Sequence, residues 1–252
     1  MEKYKLIVLL TCHENKESIK NTIENIFKFN KDACVLLNDG TKENLEDIKL
    51  PNLFVKKRIV RYDRFDTMIS LHLELKDLIV ENNIQSEYVL LMSSNQLFIK
   101  HDLHEYMKDY EASYFERDID GGCIPKLESN KTFKKYQDEL GKENFLHQSN
   151  HDGMFFKFHI FMEMMNYFED FRNQKIDNHA EEFLYYAYLK KNYPNHLSKF
   201  DNYNYWQPTW RRSLEPINNE EFRKCLEKGY YLIKRVSRDM KNETRKIITE
   251  ME

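Results

Sequence analysis

The sequence predicts an α/β protein with a mixed, mostly parallel central sheet flanked by helices. Three observations carry this. Apolar runs of strand length recur through the first third of the chain, helical faces fall between them, and no Pro/Gly-rich linker or internal repeat interrupts the 252 residues. Strands that alternate with helices pair in parallel through right-handed crossovers. Strands covered on both faces read as continuous apolar runs rather than alternating ones.

Taken in order, KLIVLLT (5–11) is a buried first strand. HENKESIKNTIENIFKF follows, where Ile19, Ile23, Ile26 and Phe27 mark one helical face and Asn15 is the natural cap. ACVLLNDG (33–40) is a second strand stopped by a turn, and LFVKKRIV (53–60) a third. Residues 66–82 set Met68, Leu71, Leu75, Leu78 and Ile79 on one helix side, and EYVLLMSS (87–94) is the fourth strand. The second half is less regular: a short strand at 122–126, helices at 159–171 and 179–191, a late strand at 230–236 and a charged terminal helix at 239–250. A single domain over 1–252 is expected, with a nucleotide-binding half (about 1–120) and an acceptor half (about 121–252).

Composition narrows the function classes. A net charge of −3 argues against a nucleic-acid protein held by bulk electrostatics. The four cysteines stand singly, which fits reduced thiols and gives no zinc spacing. The opening apolar run is too short for a signal peptide, and nothing approaches the ~20 apolar residues of a membrane span. A cytoplasmic protein is the expectation.

In open sheets of this kind ligands bind beyond the carboxyl ends of the strands. The tips here are Thr11–Asn15, Asn38–Gly40, Arg61–Asp66 and Ser93–Gln96, all polar. With six glycines and neither G-x-G-x-x-G nor G-x-x-x-x-G-K-[ST], a backbone phosphate cradle is not expected. Thr11, His13, Asn38 and Asp39 are candidates for a nucleoside, although Asn-Asp-Gly is equally a common turn. In DNHAEEFLYYAYLKK (177–191), Asn178 can cap the helix with Glu181 as its capping-box partner. That leaves Glu182 without a structural task beside Tyr185 and Tyr186, either a solvated helix acid or a general base. WQPTWRRSLEP (206–216) sets Arg211 and Arg212 beside Trp206 and Trp210, and YYLIKRVSRD ends a strand with Lys234, Arg235 and Arg238. Such a local cation cluster suits a compact anion such as a diphosphate.

At these residues the chain resembles the core-2/I-branching β-1,6-N-acetylglucosaminyltransferases and their peptide xylosyltransferase relatives. SEYVLLMSSNQLFIKHDLHEYM (86–107) is similar to that family's segment of the type W-D-Y-x-I-N-L-S-G-x-D-F-P-I-K-T. EEFLYYAYL (181–189) resembles its D-E-x-L-W-A-T-L helix, and Arg211 and Lys234 follow in the order of its diphosphate-binding Arg and Lys. The likeness runs from about residue 4 to 240, with Gln96 where the family has an acid and without its disulfide framework.

The resemblance implies a GT-A (Rossmann-like) fold and an inverting, metal-independent glycosyltransferase using a UDP-sugar, with no cofactor. It implies Glu182 as base and Arg211 and Lys234 as the diphosphate grip; Arg212, which competes with Arg211 for that role, and Arg235 are the further candidates. Thr11, His13, Asn38 and Asp39 would bind the nucleoside, and Trp206, Trp210 and Asn95 the acceptor. The absence of carboxylates over Ser93–Gln96 is what metal-free chemistry expects, because fixed cations can stabilise the departing dianion. The partners are a nucleotide-sugar donor and a glycan acceptor, with peripheral association at the cytoplasmic face of the inner membrane and a setting in capsule or lipooligosaccharide synthesis. Two other readings remain: a metal-dependent nucleotidyl or group transferase, for which only a pair such as Asp63/Asp66 offers itself, and a non-catalytic glycan-binding module.

Overall fold

A computed structural model describes residues 3–41, 43, 45, 47–57, 68–118, 127–172, 174, 176, 179–206 and 215–251. The first half follows the expected alternation: β1 (Lys3–Cys12), α1 (Lys16–Phe29), β2 (Ala33–Asp39), β3 (Leu53–Lys57), α2 (Met68–Glu81) and β4 (Gln85–Ser93). Asn15 caps α1, its side chain accepting the Ser18 N–H at 2.9 Å. Then come β5 (Gln96–Phe98), α3 (Leu103–Met107), β6 (Ala112–Tyr114), β7 (Arg117–Asp118), α4 (Lys131–Leu140), β8 (His147–Gln148), β9 (Phe155–Lys157) and α5 (Phe158–Tyr167). The chain ends with α6 (Ala180–Asn192), β10 (Leu197–Lys199), β11 (Asn204–Tyr205), α7 (Asn219–Glu227), β12 (Leu232–Lys234) and α8 (Glu243–Glu250). The strand expected at 122–126 and the end of the third strand at 58–60 lie outside the described residues.

The central sheet has seven strands in the order β10-β6-β9-β4-β1-β2-β3. β1 pairs in parallel with both β2 and β4, and β2 with β3; β9 runs antiparallel to β4 and β6, and β10 is parallel to β6. The fold is therefore mixed α/β with a mostly parallel sheet, as the alternation predicted. Strands from both halves of the chain share this one sheet.

Alternate residues of the central strands feed two cores, which is why those strands read as unbroken apolar runs. Ile7 and Leu9, with Val89 and Leu91, pack against α2, α4, α5 and α6. Leu6, Val8 and Leu10, with Leu90 and Met92, pack against α1 and α3. A third, smaller cluster joins β5 and β12 to α7 and α8.

The terminal helix reads as charged in sequence, and the structure buries one of those charges completely, Arg245. Its guanidinium donates to Asn21 Oδ1 (2.9 Å), Ser237 O (2.8 Å), Ser18 O (3.1 Å) and Thr22 Oγ1 (2.9 Å). It thus ties the segment after β12 to the inner face of α1. Burial, and then Arg238, lower its pKa to about 10, with Glu14 opposing, so it stays charged at neutral pH. Arg245→Met is expected to destabilise the protein by about 3 kcal/mol or more, because several buried acceptors lose their donor at ~1–3 kcal/mol each. Urea denaturation reads this directly, and a change within about 0.5 kcal/mol would refute the role.

Candidate functional site

The carboxyl ends of β1, β2 and β4 open into a cleft of about 250 Å³. β1 contributes Thr11 and Cys12, with His13 just beyond its end, and β2 contributes Asn38 with Gly40 after it. Gly40 is needed at this rim. Its N–H bonds the Cys12 carbonyl at 2.9 Å, and a Cβ there would stand 3.0 Å from that same oxygen. The loop after β4 adds Ser93, Ser94 and Asn95. The far wall carries His151, Asp152 and His179, and the segment from the end of β12 supplies Lys234 and Arg238.

The loop after β4 braces itself. Gln96 is fully buried and its Oε1 accepts the Ser93 N–H at 2.9 Å, while Ser93 Oγ donates to Asn95 Oδ1 at 2.8 Å. The amide at position 96 therefore spends its acceptor on the turn. Val236 N–H reaches the Asn95 carbonyl at 3.0 Å, which docks the segment after β12 onto this loop. Arg235 makes that docking by adopting a left-handed backbone, φ 73°, an uncommon conformation for a non-glycine residue. Among the described residues, no group of three or more His, Cys, Asp or Glu side chains converges as a metal site would require.

Lys234 ion-pairs with Asp152, and Arg238 Nε lies 2.6 Å from Glu14 Oε1. Burial alone would raise the Asp152 carboxyl. Lys234 and then His151 overcome it and hold the acid well below the usual carboxylate range. Behind the cleft wall, His151 Nδ1 sits 3.4 Å from Glu181 Oε1 and its Nε2 sits 3.4 Å from Asp152 Oδ1. Deeper still, His72 Nδ1 is 2.8 Å from the Tyr185 hydroxyl, which burial keeps protonated.

His72 has a consequence for acid stability. Burial, reinforced by His151 and opposed by Asp152, pushes it down to about 3. Its unfolded value is about 6.5, so between those two values the unfolded chain binds the extra proton. The stability it contributes is complete above pH ~6.5 and is lost as pH falls, by about 2 kcal/mol between pH 7 and pH 5. Urea denaturation at the two pH values should show this loss in the wild type and a smaller one in His72→Gln. Identical losses in both would assign the pH dependence elsewhere.

The structure gathers five of the sequence candidates in one cleft: Thr11, His13, Asn38, Asn95 and Lys234. Others stand apart from it. Asp39 is buried at the end of β2, where its Oδ1 accepts the Thr41 N–H (2.8 Å) and its Oδ2 pairs with Lys57 (3.0 Å), so the turn reading describes its contacts. Arg235 lies over the Trp206 ring, 6.0 Å from its centroid, and Trp206 packs edge-on against Phe115; neither lines the cleft. Glu182 is largely buried and does not line it either. Its backbone carbonyl accepts the Ser149 N–H at 2.6 Å, tying the first turn of α6 to the segment that carries His151 and Asp152. Trp210, Arg211, Arg212 and the pair Asp63/Asp66 lie outside the described residues.

The capping-box reading of Glu181 is corrected. Helix α6 begins at Ala180 with His179 at the cap position and no side-chain cap bond, which makes Glu181 the second helical residue and Glu182 the third. Glu181 is buried and turned toward His151 and His179 instead. Sequence reasoning missed His151 and Asp152. Their signal is the turn NHDG ahead of a short apolar strand, where Asn150 Oδ1 accepts the Asp152 N–H at 3.1 Å.

No protein-family model matches the chain, and a search of curated proteins finds no match either. Solved structures do align with it at low identity. The bifunctional glycosyltransferase WbbM aligns at 12% identity and a TM-score of 0.47 over 93% of this chain, which spans 46% of that protein's length. An active-site mutant of LgtC aligns at 9% identity and a TM-score of 0.48, covering 97% of this chain and 94% of that one. The galactosyltransferase LgtC in complex with donor and acceptor sugar analogues gives 12% identity and a TM-score of 0.46, with the same coverage.

Proposed function

We propose that the chain is a glycosyltransferase of the GT-A type that moves a sugar from a UDP-sugar to a hydroxyl of a glycan acceptor, with inversion and without a metal ion. The observation that carries this reading is the cleft itself. It lies beyond the carboxyl ends of the parallel strands β1, β2 and β4, is lined there by Thr11, His13 and Asn38, and has two cations, Lys234 and Arg238, at its other side. Support also comes from the resemblance to the core-2/I-branching family over the 86–107 and 181–189 segments.

In this reading the acceptor oxygen attacks the anomeric carbon from the face opposite the diphosphate. The carbon–oxygen bond to the diphosphate breaks, its electron pair leaves with UDP, and Lys234 with Arg238 stabilises the departing charge. Glu182 is assigned the acceptor's proton on the resemblance of residues 181–189 to a catalytic helix, although its side chain is largely buried and does not line the cleft. Arg211 and Arg212 are the further phosphate ligands, Asn95 and the two tryptophans meet the acceptor, and the nucleotide half precedes the acceptor half in one domain. No described helix is long and apolar enough to cross a membrane. The proposed setting is surface-polysaccharide synthesis at the cytoplasmic face of the inner membrane.

The test is a screen of UDP-sugars with short glycan acceptors, followed by NMR of the product's anomeric proton. The expected product carries the configuration opposite to that of the donor. A product of retained configuration removes the inverting mechanism, and the absence of transfer or donor hydrolysis from every UDP-sugar removes the enzyme reading.

A further inference from the structure

Neither cation of the cleft faces it unopposed. The Lys234 and Asp152 side chains meet with only 11% and 17% of their surface exposed. Arg238 is held by Glu14, whose side chain is 6% exposed. In each pair the acid comes from a different part of the fold than the cation. Asp152 belongs to the turn before β9 and Glu14 to the β1–α1 loop, whereas Lys234 ends β12 and Arg238 follows it.

A dianion entering this cleft therefore meets cations that are already neutralised, and it must take them from their carboxylates. Such an exchange replaces one charge-assisted hydrogen bond by another, so it requires little net energy and is readily reversed. Asp152 is suited to letting go. Its backbone stays fixed by Asn150, whose Oδ1 accepts the Asp152 N–H at 3.1 Å, and His151 Nε2 remains 3.4 Å from its other oxygen. With 17% of its side chain exposed, the carboxylate also keeps access to water when Lys234 turns away.

We propose that Asp152 is the internal competitor of the ligand's diphosphate for Lys234, yielding the ammonium as a nucleoside-diphosphate donor enters and reclaiming it as the nucleoside diphosphate leaves. This rests on the reading of the cleft as a nucleoside-diphosphate site. It makes Asp152 a positioning residue rather than a catalytic one, with product release as its task. A site built of unopposed cations would hold UDP after transfer and be slowed by its own product.

The test is calorimetric titration of the full chain with UDP. Asp152→Asn is expected to bind UDP about tenfold more tightly than the wild type, with slower dissociation and stronger product inhibition. Asp152→Glu, which restores a competing charge, should return affinity toward the wild-type value. In a Lys234→Met background, Asp152→Asn should bring no gain, because the competition acts only through Lys234. A wild type that binds UDP alongside a folded Asp152→Asn variant that binds it equally or less well overturns the proposal and leaves the nucleotide reading standing. Failure of every protein to bind UDP overturns the nucleotide reading itself. Should the asparagine variant not fold, the carboxyl carbon resonance of Asp152 in the wild type decides: it shifts as UDP saturates the site, and a resonance that stays still at saturation refutes the exchange.

Discussion

Glu182→Gln is expected to lower turnover by about 100- to 10,000-fold while leaving UDP binding unchanged. Glutamine keeps the size and one acceptor of the side chain but cannot take a proton, so the variant isolates the base function from packing. The role comes from the resemblance of residues 181–189 to a catalytic helix; in the structure the Glu182 side chain is largely buried and does not line the cleft, so the variant is the direct test of that role. Glu182 is in the first turn of α6, which is tied through Ser149 to the strip of chain that brings His151 and Asp152 into the cleft. Neighbouring acids serve as controls. Glu181→Gln removes the carboxylate behind His151, and Asp152→Asn removes the partner of Lys234. If Glu182→Gln kept turnover within about threefold of wild type while Glu181→Gln lost it, the proton acceptor would be reassigned to Glu181, whereas slowed turnover in Asp152→Asn reports product release.

Lys234→Met should lower turnover by about 100- to 1,000-fold and weaken UDP binding with it. Lys234 is the last residue of β12; the left-handed turn at Arg235 and the Val236–Asn95 bond fix the backbone from which it reaches the cleft, and Asp152 holds its ammonium there. In the proposed complex the ammonium has already passed from Asp152 to the diphosphate on donor binding, so it would stabilise the leaving charge as the bond breaks. Lys234→Arg is expected to recover part of the binding but less of the turnover, since a planar fork and a compact ammonium present charge differently. Losing Lys234 permanently also leaves the half-buried Asp152 without its cation, so the Lys234→Met/Asp152→Asn double variant is the control for misfolding. Turnover unaffected by Lys234→Met would remove this residue from the diphosphate site.

Much of the sheet was legible because its central strands are buried on both faces, and their unbroken apolar runs mark them. The three-residue strands β6, β9 and β10 are too short to show a period, so the second half of the sheet was not. Helix α7 carries a complete capping box, Asn218 with Glu221, ahead of the modest apolar stripe of Phe222 and Cys225, and went unmarked among charged neighbours. The convergence of Thr11, Asn38 and Asn95 followed from topology alone, since the ends of β1, β2 and β4 are adjacent in a parallel sheet. Lys234 was legible as part of a local cation cluster, but its neighbour Arg235 was not separable from it. Only the backbone turn at 235 sends one side chain to the cleft and the other to Trp206. Asp39 shows the reverse limit, where an acid at a strand tip is consumed by its own turn and by Lys57. The burial of Arg245 could not be read from a helix whose sequence is dominated by charge.

Calorimetric titration with UDP and UDP-sugars, in buffer containing EDTA and again with Mn²⁺ added, tests most directly whether the cleft binds a nucleoside diphosphate through side-chain cations alone. Saturable binding of UDP with the same affinity in both buffers is the expected result. Binding that vanishes in EDTA and returns with Mn²⁺, or no nucleotide binding in either, would contradict it.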